Sequence, residues 1–264
     1  MSDAVLLEKR APLAFVTLNR PAAMNALDFE ANDELLGAWH EFRDDDDLLV
    51  AILTGEGDES FCAGADLKAY TPLLGELSSF ELRSLANGPG FGGITRGLEL
   101  WKPIVAAVNG YAISGGLELA LACDIRICSQ NAQFGSQEVR WGFHHCDGGN
   151  VRLPLIVGLG NALRLTLTGE RIDAREAHRI GLVSDVLEQK HLLEEAVRIA
   201  SLIARHGPLG VRSAKEATLR ALGRTLEDAL RLENLLFASL AKTEDFSEGP
   251  RAFAERREPE FRGK

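Results

Sequence analysis

The sequence predicts an α/β fold: a sheet assembled from βαβ units, followed by a helical C-terminal region. Three observations predict it. Leu48–Leu53 (LLVAIL) and Ile104–Val108 (IVAAV) are too apolar for strands with one wet face, and read as strands buried on both. Helical patterns separate these runs from each other and from a further strand, Asp124–Cys128 (DIRIC), which is the alternation of βαβ units. From Ala162 onward helical patterns dominate, interrupted by one short strand, Leu182–Val186.

Taken in order, Ala4–Leu7 and Leu13–Leu18 are apolar and β-rich, and a helical pattern follows through Leu27–Phe42. The acidic run Asp44–Asp47 is a solvated boundary. After Leu53 comes the turn-rich GEGDESFCAGAD. Residues 69–102 read as a helix, a mobile glycine-rich break (NGPGFGGITRG) and a second helix ending near Trp101. Ile104–Val108 leads through NGYAISGG into the apolar helix GLELALAC. The later helices are predicted at Ala174–Ile180, Leu192–Arg205, Pro208–Leu222, Leu226–Ala241 and Pro250–Arg257. The chain divides softly into an α/β core (residues 1–195) and a helical C-terminal region (196–264), with no internal repeat or low-complexity linker.

A chain of 264 residues can bury one substantial core. The formal net charge of −10 argues against a general nucleic-acid binder, which needs a basic surface. The start, MSDAVLLEKR, reads as neither a signal nor a transit peptide, and no apolar run approaches the ~20 residues of a membrane-spanning helix. Cytoplasmic residence is therefore expected. Cys62, Cys123, Cys128 and Cys146 form no CxxC pair, so buried reduced thiols are expected and no metal site is predicted.

Two segments carry candidate chemistry. Phe61–Lys68 (FCAGADLK) and Asn109–Gly116 (NGYAISGG) each come after a buried strand, where ligands of α/β sheets bind, and the second opens a helix. A helix start leaves N–H groups unsatisfied at the positive end of its dipole. The N–H groups of Ala65 and Gly115 together could receive one oxygen gaining negative charge; glycines that merely permit turns are the plain alternative. Glu118 lies among Leu117, Leu119, Ala120, Leu121 and Ala122, in a helix apolar nearly all round and hence buried. An unpaired buried carboxylate answers with a raised pKa, as a general acid or base near neutrality requires. Glu138, alone, reads as one half of a surface ion pair with nearby Arg140.

In order along the chain, VTLNRPAAMNAL, SFCAGADLK, KPIVAAVNGYAISGGLELALACDIRI, AQFGSQEVRWGF, LTGERIDAREAHRIGLVSDVL and SEGPRAFAERREPEF resemble the successive motifs of the crotonase (enoyl-CoA hydratase/isomerase) family. The resemblance runs from about Leu13 to Phe261. It implies a spiral core of βαβ units with a helical C-terminal trimerisation region, hence a homotrimer or homohexamer. It implies an acyl-CoA substrate and no cofactor beyond the coenzyme A that the substrate carries. Ala65 and Gly115 match the family's oxyanion hole. Met24 and Ala65, Asp66, Leu67 and Lys68 match its contacts to the CoA nucleotide. Arg256 matches a basic residue that reaches the CoA phosphate from a neighbouring subunit. Glu118 and Glu138 match the two glutamates of enoyl-CoA hydratases, which implies addition of water across the 2,3-double bond of an enoyl thioester.

One stretch departs from the hydratase pattern. Where a Gly-Ala-Gly-Gly-type run is common, this chain has Phe143-His144-His145-Cys146-Asp147-Gly148-Gly149. Asp147 is expected to cap the helix beginning near Gly148. His144 and His145 are expected either to meet substrate or to buttress the loop. The stretch keeps alternatives open: an enoyl- or dienoyl-CoA isomerase, another crotonase-type lyase or hydrolase, or a non-catalytic acyl-CoA binder. Ser114 and Gln137 stand where family hydratases frequently have a Gly and a Pro.

Overall fold

The structure is a computed structural model describing residues 3–264, the side chain of Leu85 excepted. Among the described residues, ten strands fall into two sheets. In chain order they are β1 (Val5–Arg10), β2 (Leu13–Leu18), β3 (Val50–Gly55), β4 (Ser60–Cys62), β5 (Ile104–Val108), β6 (Tyr111–Ile113), β7 (Ile125–Ser129), β8 (Gln133–Gly135), β9 (Arg171–Asp173) and β10 (Asp185–Leu187). The large sheet has the order β1-β2-β3-β5-β7-β10 and the small one β4-β6-β8-β9. β1 pairs antiparallel with β2, and β8 with β9; every other neighbouring pair is parallel.

The chain visits the two sheets alternately. β3, β5 and β7 of the large sheet are each followed at once by β4, β6 and β8 of the small one, and this alternation is the spiral. Its consequence for function is direct: the carboxyl ends of β4, β6 and β8 lie side by side.

The large sheet is covered on both faces. Alternate residues of β3 go to opposite sides: Val50 and Ile52 pack with Leu192, Ala196 and Ala200, while Ala51 and Leu53 join the larger core between the sheets. β5 divides the same way, so its uninterrupted apolar run has the cause expected of it.

The helices are α1 (Phe29–Asp44), α2 (Leu67–Glu76), α3 (Ser79–Ala86), α4 (Gly115–Ala122), α5 (Gly149–Val157), α6 (Leu159–Thr168), α7 (Ala174–Arg179), α8 (Gln189–Ala204), α9 (Pro208–Ala221), α10 (Leu226–Leu240) and α11 (Glu244–Glu255). Asp28 caps α1 by accepting from the Ala31 N–H. α8, which runs through residues 195 and 196, covers the outer face of the large sheet. No helix among the described residues is long and apolar enough to cross a membrane.

Three readings of the sequence are corrected. No second helix ends near Trp101: α2 and α3 are followed by a single 3-10 turn at Phe91–Gly93, and residues 98–103 are irregular. Nor is the glycine-rich segment a loose break. The Gly92 N–H donates to Asn32 Oδ1, its carbonyl accepts from Trp39 Nε1, and the Phe91 N–H donates to Asp147 Oδ1. The last helix also begins earlier than Pro250, at Glu244, capped by Thr243.

Candidate active site

The ends of β4, β6 and β8 open onto one cavity of ≈ 540 Å³. Met24, Ala65, Leu67, Gly115, Glu118, Glu138, His144, His145 and Asp147 all line it. Each of the two segments carries residues of a three-residue strand, β4 in the first and β6 in the second, and the second starts directly after the buried strand β5.

Ala65 presents its main chain to this cavity for a geometric reason. The Leu27 N–H donates to the Gly64 carbonyl and the Asp66 N–H to the Leu27 carbonyl, so both bonds to Leu27 use the groups flanking Ala65. In extended chain, successive residues turn these groups to opposite sides, so the Ala65 N–H faces away from Leu27. Gly115 is the first residue of α4, and its N–H has no acceptor within the helix. The two segments abut: a Cβ on Gly64 would lie 3.1 Å from the Gly115 nitrogen. Ser114, at φ 55° and ψ −120°, turns the chain into α4 in a conformation costly for any residue with a Cβ. A side chain on Gly116 would strike the Cys62 carbonyl, so glycine there sets α4 directly on β4.

Glu118 is buried, 3% exposed, but not unpaired. Its Oε1 accepts from the N–H groups of Asp147 (2.7 Å) and Gly149 (2.8 Å). Glu138 is also buried, 4% exposed, which corrects the expected surface pair with Arg140. Its partner is His145, whose Nδ1 is 2.8 Å from Glu138 Oε1 and 3.4 Å from Glu118 Oε1. Glu138 Oε2 is buried and makes no hydrogen bond among the described residues. On the other edge of the ring, Nε2 is 2.6 Å from Ser136 Oγ. Burial works against a charge on this ring, yet the two glutamates outweigh it and raise the pKa of His145 to about 9. One ligand-type atom from each of Glu118, Glu138 and His145 lies within 4.8 Å of the other two, the spacing of a cation site. The donor set does not suit one: the two amides already engage both lone pairs of the Glu118 oxygen that faces the imidazole.

Asp147 does not cap a helix. Gly148 is the N-cap residue of α5, and the Asp147 carboxylate reaches the other way. Its Oδ1 accepts from the Phe91 N–H and the Thr95 hydroxyl, and lies 3.1 Å from Arg96 Nε. The aspartate thus fastens the glycine-rich loop to the floor of the cavity. The imidazole of His144 is 2.6 Å from the His145 carbonyl.

Of the residues matched to the CoA nucleotide, Met24, Ala65 and Leu67 line the cavity. Asp66 caps α2 through the Lys68 N–H and lies 3.5 Å from Arg20 Nη2, which also pairs with Asp28 at 2.7 Å. Lys68 is exposed, and Arg256, with φ 56°, ends α11 outside the cavity lining. Aromatic residues to which the sequence reading gave no role, Phe91, Tyr111, Trp141 and Phe143, line the cavity as well.

A spiral that alternates between two sheets and gathers its short-strand ends at one cavity defines the crotonase class. The family model described as enoyl-CoA hydratase/isomerase matches residues 8–264. The (E)-benzylidenesuccinyl-CoA hydratase of Thauera aromatica is 44% identical, covering 98% of this chain and 99% of its own length. The short-chain-enoyl-CoA hydratase of Clostridium acetobutylicum is 41% identical, covering 97% and 96%. Among solved structures, the enoyl-CoA hydratase of Bacillus anthracis aligns with a TM-score of 0.89 at 33% identity, over 99% of this chain and 100% of that one. That of Mycobacterium tuberculosis H37Rv gives 0.90 at 35%, over 100% of both. This chain belongs to the enoyl-CoA hydratase/isomerase family and is an enzyme of the enoyl-CoA hydratase type.

Proposed function

We propose that the protein adds water across the 2,3-double bond of an enoyl-CoA thioester, with Glu118 and Glu138 as its acid–base pair. The observation that supports this reading is the shared cavity, lined by Ala65 and Gly115 together with two buried glutamates. The thioester oxygen accepts from the N–H groups of Ala65 and Gly115. A water held between the carboxylates bonds through its oxygen to C3 as one glutamate takes its proton. The π pair moves toward C2 and the thioester, whose oxygen gains negative charge. C2 then receives a proton from the carboxyl groups, which restores the thioester and leaves a 3-hydroxyacyl-CoA. Each oxyanion donor is worth about 3–4 kcal/mol in the transition state.

Met24, Ala65, Asp66, Leu67 and Lys68 are assigned to the CoA nucleotide, Asp66 and Lys68 through the start of α2. Arg256 is assigned to a CoA phosphate bound by a neighbouring subunit. The enzyme works in the cytoplasm, as a homotrimer or homohexamer, with no cofactor beyond the coenzyme A of its substrate. The α/β core (1–195) carries the site, and the helical region (196–264) the subunit contacts.

Loss of conjugated enoyl-thioester absorbance tests the reaction, starting with crotonyl-CoA. The series extends to arylalkenoyl thioesters because Phe91, Trp141 and Phe143 line the cavity. Glu118→Gln and Glu138→Gln are each expected to lower kcat by ~100-fold or more. Turnover of β,γ-enoyl thioesters with no hydration anywhere in the series would replace the reading with isomerisation.

A further inference from the structure

A histidine stands between the two glutamates, and the hydration as written gives it no part. The ring of His145 is buried, 3% exposed, and the surrounding chain is shaped to hold it. A Cβ on Gly149 would run into the imidazole, so α5 begins with the one residue that leaves room for the ring. Ser136, at the end of β8, meets Nε2, while Glu138, two residues on, meets Nδ1. Chain from two turns of the spiral, α4 and the stretch from β8 to α5, therefore converges on a single side chain.

The oxygens that face Nδ1, at 2.8 and 3.4 Å, belong to carboxylates, so a bare lone pair on Nδ1 is repelled there and a protonated Nδ1 attracted. Two carboxylate groups held in one cavity repel each other, and a positive charge on the ring between them offsets that repulsion. The other charged groups nearby are committed elsewhere. Arg152 donates to the Asp147 and Thr95 carbonyls, Arg96 pairs with Asp147, and Cys146, unlike the other three cysteines exposed, is a thiol whose pKa partial desolvation and Asp147 push up to about 12.

We propose that His145 is a positioning residue of the hydration: an imidazolium wedged between Glu118 and Glu138 that offsets the repulsion between them and fixes the reach of Glu138. The proposal rests on the reading of that pair as the reacting groups. It also gives the imidazolium a part in turnover. When a glutamate takes the proton of water, the positive charge beside it favours the proton's onward transfer to C2.

The test compares wild type, His145→Gln and Glu138→Gln in crotonyl-CoA hydration across pH 6–10. Wild-type kcat is expected to fall on the basic side with an apparent pKa near the value of about 9 given for His145. In His145→Gln, kcat at pH 7 should drop ~100-fold with KM little changed, and the basic limb should vanish. A variant with wild-type kcat, or one that is merely less stable with the limb intact, overturns the proposal. So does activity that is lost on chelation and restored by a metal ion. Should His145→Gln fail to fold, ¹⁵N-histidine spectra of the wild type decide. One of the six histidines keeping both ring nitrogens protonated at pH 8 supports the proposal, and six ordinary titrations overturn it. The hydration reading fails separately, if wild type hydrates no enoyl-CoA or Glu138→Gln keeps full rate.

Discussion

At the scale of single residues, His145 links the site to the pH dependence of stability. Its pKa is about 9 in the folded protein against an ordinary 6.5, so the folded state binds the proton more tightly. The stabilisation is complete below about pH 6.5 and is lost as pH rises through 9. Urea denaturation at a series of pH values should therefore show wild type and His145→Gln drawing closer together between pH 6.5 and 9.5; a gap constant with pH would contradict this. The burial of Glu118 was legible in the sequence, because its helical neighbours are all apolar. Its anchoring was not, since the two amides that hold it belong to a loop roughly thirty positions away. Glu138 misled for the same reason: Arg140 was near in sequence, whereas His145 is brought in by the turn of chain between β8 and α5.

At the scale of elements, Asp147 turns a glycine-rich segment into a fixed wall. Asp147→Ala leaves the Phe91 N–H, the Thr95 hydroxyl and the Arg96 guanidinium without that carboxylate, at an expected cost of about 2–4 kcal/mol. Chemical denaturation measures the loss, and hydrogen exchange should quicken first at residues 90–96. Unchanged exchange there would show that Asn32 and Trp39 hold the loop unaided. The long strands could be read from the sequence because five or six apolar residues in a row have few other uses. The three-residue strands β4, β6 and β8 could not, as they are too short to show alternation. The helix predicted before Trp101 failed because apolar spacing around Leu98 and Leu100 serves irregular chain packed on the core equally well.

At the scale of the molecule, the C-terminal helices carry large apolar side chains in the open. α9 and α10 contain no buried residue, and Leu226, Leu230, Leu235, Phe237 and Phe253 are exposed. An apolar surface of this kind marks an interaction site, and another copy of the chain is the proposed occupant. Sedimentation should show a trimer or a multiple of it, and Leu235→Asp with Phe237→Asp should yield smaller species. A wild-type monomer at micromolar concentration would contradict the assembly. The spiral as a whole was available only through the resemblance of ordered motifs: which strand lies beside which depends on contacts that no local pattern encodes.

The amide grip on Glu118 makes the two glutamates unequal as experimental targets. A glutamine at 118 still offers a carbonyl oxygen to the Asp147 and Gly149 N–H groups, so its shape and tether survive while its basicity disappears. A glutamine at 138 strips His145 of its nearest counter-ion, so that single exchange perturbs a second titrating group as well. Both exchanges take a negative charge from beside His145, but only the first leaves the exchanged side chain's tether in place.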